Sequence, residues 1–267
     1  MNLQDMFGLD GRIALVTGGS RGIGKMIVEG FLAAGCARVY ISARKVPQVE
    51  AAVADFETRY PGKVVGLPVD LSSVEGCRAL ARELEAREQR LDILVNNAGA
   101  AWGEPFEGFP ESGWDKVMDI NVKSPFFLTQ ALHGLLKAGG SPARPAKVIN
   151  IGSIDGMRLN PWETYSYHAS KAAILYLTKR LAARLVEDNI IVTAIAPGAF
   201  QSEMNKAARD HGDAVAQGIP VKRIGVPEDM AGAAIFLASK AGDYVVGDTI
   251  AVDGGLVHGE LKSSIDA

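Results

Sequence analysis

The sequence predicts a single-domain α/β protein built on one doubly wound parallel sheet of seven strands, with helices on both faces. Three observations carry this. Short β-branched runs alternate with longer helical patterns along the whole chain. Most of those runs are apolar throughout rather than alternating, as expected of parallel strands covered on both faces. No low-complexity linker or internal repeat divides the 267 residues, a length ordinary for one α/β domain.

Strands are expected at residues 13–16, 38–42, 64–69, 93–95, 147–151, 190–195 and 249–252, with helical patterns between them, among them 24–34, 74–88, 114–136 and 167–187. One stretch breaks the rhythm. Residues 199–220 are polar, long for a connection, and follow the sixth strand, so they read either as a substrate lid or as a disordered surface loop. Hydrophobic residues make up 48% of the chain and charged residues 22%, which suits a soluble globular protein with a real core. A net charge of −3 and the absence of any Lys/Arg run argue against nucleic acid as a partner. No apolar run approaches the ~20 residues of a membrane span, and the first residues, MNLQDMFGLDGR, lack the apolar core of a signal peptide. A cytoplasmic protein without membrane association is expected. Cys36 and Cys77 lack C-x-x-C spacing and read as buried free thiols or, alternatively, one disulfide. His133, His168, His211 and His258 are scattered, so no metal site is expected.

In doubly wound sheets ligands bind beyond the carboxyl ends of the strands, so chemistry is sought there. After the first strand comes Thr17-Gly18-Gly19-Ser20-Arg21-Gly22-Ile23-Gly24, leading straight into a helix. Its G-x-x-x-G-x-G spacing differs from the commonest Rossmann fingerprint, G-x-G-x-x-G, but the physics is shared. Glycines permit a tight turn and close approach of backbone to a pyrophosphate, which sits on the helix N-terminus where N–H groups and the macrodipole favour an anion. The end of the second strand would carry an acid if an unphosphorylated ribose were recognised. It reads Ile41-Ser42-Ala43-Arg44-Lys45 instead. Arg44, with Arg21 from the glycine loop, suits the 2′-phosphate of NADP(H), because a guanidinium fork matches phosphate oxygens bidentately. The plainer alternative is a pair of solvated arginines.

Tyr167-His168-Ala169-Ser170-Lys171 opens an amphipathic helix in which Tyr167 and Lys171 share a face. An ammonium about 5 Å from a phenol, at an effective dielectric of about 20, favours the phenolate by about 3 kcal/mol. That is expected to bring the phenol from about 10 down to about 8, nearer the range where a general acid works best. Tyr165 has Ala169 at the corresponding position, so Tyr167 is the candidate proton donor.

These pieces and others in the same order resemble the short-chain dehydrogenase/reductase family over about residues 8–255. They are TGGSRGIG at 17–24, Asp70-Leu71 after the third strand, Asn96-Asn97-Ala98-Gly99 after the fourth, Asn121-Val122 in the next helix and Gly152-Ser153 after the fifth. YHASK at 167–171, Pro197-Gly198 after the sixth strand and Val252-Asp253-Gly254-Gly255 complete the set. The resemblance implies that Ser153 stabilises the developing alkoxide, that Tyr167 moves the proton, and that Lys171 holds the nicotinamide ribose and lowers the Tyr pKa. It implies that Asn121 positions a water relaying protons from Lys171. Gly18, Ser20, Arg21, Gly22, Ile23, Gly24 and Arg44 would hold the phosphates of NADP(H). Asp70 and Leu71 would meet adenine, Asn97, Ala98 and Gly99 would line the cleft, and Pro197, Gly198 and Ser202 would meet nicotinamide. Ser202 stands where the family usually has threonine, which keeps the hydroxyl.

Two departures stand out. The spacing from Ser153 to Tyr167 is one residue longer than the family's usual one, so RLNPWET (158–164) should hold an extra residue. Asp155 falls where many relatives have a small or apolar pocket residue, and it either faces substrate or caps Asn160-Pro161 from outside. Trp102 and Trp162 either wall the cleft or pack under loops. The likeness within the family is greatest to NADPH-dependent 3-oxoacyl-thioester reductases and related bacterial ketoreductases. The expected activity is reduction of a ketone carbonyl on a small molecule to a secondary alcohol. The alternative is a dehydrogenase of a polyol, sugar acid or cyclic alcohol. A non-catalytic dinucleotide-binding regulator would need the glycine loop but not Asn121, Ser153, Tyr167 and Lys171 together. Phe126, Leu128, Leu132, Ile174, Leu177 and Leu181 exceed what one buried helix face requires, and relatives pair these helices across two-fold axes, so a homotetramer is expected.

Overall fold

Two faces of every central strand are apolar, and each feeds a separate core layer. The structure, a computed structural model, describes residues 2–202 and 205–259. Ala14 and Val16 of β1 (Ile13–Thr17) and Val39 and Ile41 of β2 (Arg38–Ala43) point to one side. There they meet Ile27, Val28 and Phe31 of α2 (Gly22–Ala33), Phe56 of α3 (Val46–Glu57) and Met230 and Leu237 of α11 (Pro227–Ala238). Leu15 and Tyr40 point to the other side. They join Leu80 and Leu84 of α4 (Val74–Glu85), Leu94 of β4 (Ile93–Asn96), Leu128 of α6 (Ser124–Ala131) and Val148 of β5 (Ala146–Ile151). Alternate side chains leave opposite faces of a strand, so continuous hydrophobicity is what a doubly covered sheet demands. On the first face Gly30 lets α2 close on α11: a Cβ there would lie 2.7 Å from that of Ala231.

The seven strands, completed by β3 (Val64–Pro68), β6 (Ile190–Pro197) and β7 (Thr249–Val252), pair in parallel in the order β3-β2-β1-β4-β5-β6-β7. The order reverses between β1 and β4, which opens a crevice beyond their carboxyl ends. The strands start and stop within two residues of the expected positions. No described helix is long and apolar enough to cross a membrane.

Three expectations are corrected. The helix expected over 114–136 is not continuous: it runs as α5 (Glu111–Met118), a π turn at Asp119–Lys123, α6, and α7 (His133–Gly139). Pro125 is the physical reason for the first break. It has no N–H to give the carbonyl four residues back and its ring clashes there, so the helix widens and Ser124 N–H bonds Asp119 instead. The helix carrying Tyr167 begins two residues early, as α8 (Tyr165–Leu185). The segment after β6 is not without structure, since it holds α9 (Lys206–Asp210) and α10 (Gly212–Gln217). The short α1 (Leu3–Phe7) precedes the sheet.

Candidate active site

The register sets Val16 beside Val95, Asn96 beside Asn150 and Ile151 beside Ile195, so the loops leaving β1, β4, β5 and β6 emerge next to one another. Beyond β1, Gly18 and Gly22 adopt φ of +65° and +52°, conformations that L side chains rarely take. A Cβ on Gly24 would lie 2.3 Å from the Gly18 carbonyl oxygen. Arg21 is the N-cap of α2 but its side chain caps nothing, which leaves the first N–H groups of the helix open to an anion. The Arg21 and Arg44 side chains are exposed and neither pairs with an acid among the described residues. Glycine cradle, open helix end and two unpaired guanidiniums fit a phosphorylated dinucleotide.

Thr17, not singled out from sequence, ties the cradle to the neighbouring loop. Its hydroxyl donates to Val95 O (3.2 Å) and accepts from the N–H groups of Asn97 and Ala98, both at 2.9 Å. Asn97 answers by donating from Nδ2 to Thr17 O at 2.8 Å and Gly18 O at 3.3 Å. Ser20 is buried and Ile23 packs against the core. Asp70 is exposed, and its carboxylate accepts from Ser72 N–H at 3.0 Å, which holds it below its usual range. The side chain of Leu71, expected to meet adenine, is buried in the core beside Cys77 and Leu80. Only its backbone is left at the strand end. Pro197 ends β6, Gly198 N–H bonds Val252 O (2.9 Å), and a Cβ on Gly22 would lie 3.3 Å from that of Ser202. The segment after β6 therefore touches the glycine loop.

The remaining groups come from β5, α8 and the π turn. Ser153 follows β5 and its hydroxyl accepts from Asp155 N–H at 3.1 Å. Lys171 Nζ donates to Ile151 O at 2.8 Å, which pins α8 to the end of β5, and stands 5.5 Å from the centroid of the Tyr167 ring. Asn121 is buried with its amide fully engaged: Oδ1 accepts from Ala100 N–H (2.8 Å) while Nδ2 donates to Ala100 O and to the Ser170 hydroxyl, both at 2.9 Å. It thereby fixes the residue after Gly99 to α8. A chain of buried polar groups lies below: Asn96 Nδ2 donates to Asn150 Oδ1, and Asn150 Nδ2 to Thr178 Oγ1, each at 2.9 Å. Asn150 interrupts the apolar run that follows Lys147 in β5, which is the sequence signal that could have revealed it.

Burial governs the ionisation of this site. It pushes the Tyr167 phenol up to about 12; the Ser153 hydroxyl opposes this and the Asp155 carboxylate adds to it. The expectation that Lys171 brings Tyr167 down is thus corrected, because desolvation of the phenolate dominates and the opposing pull comes from the Ser153 hydroxyl. The same burial lowers Lys171 to about 8, with Asp155 acting in the opposite sense. Asp155 does not cap Asn160, whose Oδ1 accepts from Trp162 N–H instead. Trp102 packs under Gly113, where a Cβ would lie 2.8 Å from its ring, whereas Trp162 is exposed. Among the described residues no group of His, Cys, Asp and Glu is arranged to hold a metal.

The family model described as enoyl-(acyl carrier protein) reductase matches residues 18–257, nearly the whole sheet and every loop just described. The chain belongs to the short-chain dehydrogenase/reductase family. It is an NADP-dependent oxidoreductase of that family, acting on CH–OH or C=O groups. A rhamnolipid-biosynthesis 3-oxoacyl-[acyl-carrier-protein] reductase from Pseudomonas aeruginosa is 48% identical over 258 residues, covering 95% of this chain and 99% of the relative. A 2-dehydro-3-deoxy-D-gluconate 5-dehydrogenase from Dickeya dadantii is 37% identical over 95% of this chain and 98% of its own. Among solved structures, the Pseudomonas aeruginosa RhlG/NADP complex matches with a TM-score of 0.90 at 46% identity, covering 96% of this chain and 99% of that one. A gluconate 5-dehydrogenase from Burkholderia cenocepacia, in complex with NADP and tartrate, matches with 0.85 at 35% identity, covering 96% and 98%.

Proposed function

We propose that this enzyme uses NADPH to reduce the ketone of a 3-oxoacyl thioester, or a similar ketone, to a secondary alcohol. The observation that carries the reading is the meeting of Ser153, Tyr167 and Lys171 beside a glycine cradle flanked by two unpaired arginines. NADPH, when bound, supplies a hydride to the carbonyl carbon. Ser153 donates a hydrogen bond to the carbonyl oxygen as negative charge develops there. Tyr167, held protonated by burial, gives that oxygen its proton. Lys171 fixes the ribose and keeps a positive charge under the phenol as the proton leaves. Asn121 aligns α8 with the loop after β4, and its water relay from Lys171 belongs to this reading. Asp70, Leu71 (through its backbone), Asn97, Ala98, Gly99, Pro197, Gly198 and Ser202 line the cofactor cleft, and residues 199–220 act as the lid. The second reading, a dehydrogenase of a polyol, sugar acid or cyclic alcohol, is favoured by the gluconate-type relatives.

The deciding experiment follows NADPH absorbance with 3-oxoacyl thioesters, sugar acids and cyclic alcohols, using both nicotinamides. Consumption of NADPH with a thioester or its simple ester supports the first reading, and turnover confined to polyols or sugar acids supports the second. The enzyme is expected to be a cytoplasmic homotetramer. The surface offered for assembly is smaller than the sequence suggested: Leu128, Leu132 and Ile174 are buried within the chain and Leu181 packs on its core. Phe126 and Leu177 remain half-exposed, and Trp114 (42% exposed) on α5 and Tyr176 (75%) on α8 add apolar surface. A monomeric mass in light scattering at micromolar concentration would overturn the assembly.

A pH profile follows from Lys171. Its ammonium is intact below about 8 and is lost as pH rises through that value. Because kcat/KM reports the groups of the free enzyme, reduction should be level on the neutral side and fall above about pH 8. A profile level to pH 10 would remove the charged Lys171 from the mechanism.

A further inference from the structure

Asp155 has a defined seat that the reduction itself does not use. It lies in a helical turn, Ile154–Gly156, directly after Ser153, and its N–H donates to the Ser153 hydroxyl at 3.1 Å. Gly156 lets that turn press on α8: a Cβ there would stand 2.5 Å from the carbonyl carbon of Lys171. The residue is therefore seated between Ser153 and the Lys171 backbone, half-buried, and its carboxylate makes no hydrogen bond or ion pair with any described residue. Its charge also acts on both Tyr167 and Lys171.

The cations that would neutralise it are committed elsewhere. Arg158 is the one arginine or lysine in residues 154–166, and it donates from Nη1 to Leu256 O at 2.5 Å and from Nε to Leu159 O at 3.4 Å. The Lys171 ammonium is turned to Ile151 O. Further along the same loop the surface is apolar: Met157, Leu159 and Trp162 are exposed, and Phe106 and Tyr165 meet edge to face at 5.8 Å. Glu163 binds the two sides of this rim together, its Oε1 accepting from Phe106 N–H and Tyr165 OH. Among the described residues, a carboxylate entering here meets the Asp155 and Glu163 charges, an apolar rim and no uncommitted cation from this loop.

We infer that Asp155 is a specificity determinant that turns away substrates bearing a carboxylate beside the reacting carbonyl, so that the cleft takes uncharged ketones such as 3-oxo esters and thioesters and rejects 3-oxo acids and sugar acids. The inference rests on the ketone-reductase reading and names its substrate class. Two unit charges about 6 Å apart at an effective dielectric of about 20 disfavour the complex by roughly 100-fold, and partial solvation reduces this to about tenfold or more.

The test compares kcat/KM for the ethyl ester of a 3-oxo acid with that for the acid itself, in the wild type, Asp155→Asn and Asp155→Glu. The wild type and Asp155→Glu should prefer the ester by about tenfold or more, and Asp155→Asn should bring the pair within about threefold by gaining on the acid. Equal use of acid and ester by the wild type, or an Asp155→Asn enzyme that keeps the full preference, overturns the proposal. Calorimetric binding of a 3-hydroxy acid and its methyl ester to the wild-type enzyme–NADPH complex reads the same discrimination without turnover. Failure to reduce any ketone ester would count against the ketone-reductase reading, while equal binding of that hydroxy pair would count against Asp155.

Discussion

Tyr167→Phe should lower turnover by about 10²- to 10⁴-fold, the usual contribution of a positioned acid or base, while NADPH still binds. The substitution removes one oxygen and preserves the ring that packs near the Lys171 ammonium. Among the described residues no other protonated group is in place to replace it. Ser153 accepts from Asp155 N–H and its hydroxyl is a far weaker acid, and the Lys171 ammonium is engaged with Ile151 O. A phenol pushed up to about 12 is fully protonated at neutral pH, so the wild type enters each reductive cycle with its donor loaded. The loss should therefore lie in kcat rather than in cofactor affinity. Steady-state turnover beside NADPH fluorescence titration separates the two, and a variant retaining more than about a tenth of wild-type turnover would refute the assignment.

Replacing Arg44 with Asp should abolish or reverse a preference for NADPH over NADH that is expected to be about 10²-fold or greater in the wild type. Each charge-assisted contact to the 2′-phosphate supplies about 1.5–3 kcal/mol, and Arg44 and Arg21 both stand exposed and unpaired at the cofactor end of the sheet. The substitution removes one donor, adds repulsion toward the phosphate, and provides an acceptor for the hydroxyl of an unphosphorylated ribose. The contact is the same in ground and transition states, so the change should appear mainly in the KM for NADPH. Equal use of both nicotinamides by the wild type, or an Arg44→Asp enzyme unchanged toward NADPH, would exclude the clamp.

The amino-acid sequence by itself determined the seven strands, the glycine cradle, the Arg44 signature and the pairing of Tyr167 with Lys171. Each of these is written in local spacing: a two-residue or 3.6-residue period, a turn that only glycine satisfies, or a residue at a strand end. Pro125 was equally local, and its consequence, a π turn that aims Asn121 at Ala100, was legible in principle. Only the tertiary structure decided the rest. Thr17 became a junction because β4 lies beside β1, and Asn150 joined Asn96 to Thr178 because β4, β5 and α8 pack together. Leu128, Leu132 and Ile174 looked available for assembly until those packed elements buried them. Asp155 came to sit against α8 because Gly156 met the Lys171 backbone, and Tyr167 rose rather than fell in pKa because the chain around it removed water. Desolvation and long-range contact depend on which distant segments share a volume, and no spacing within one segment encodes that.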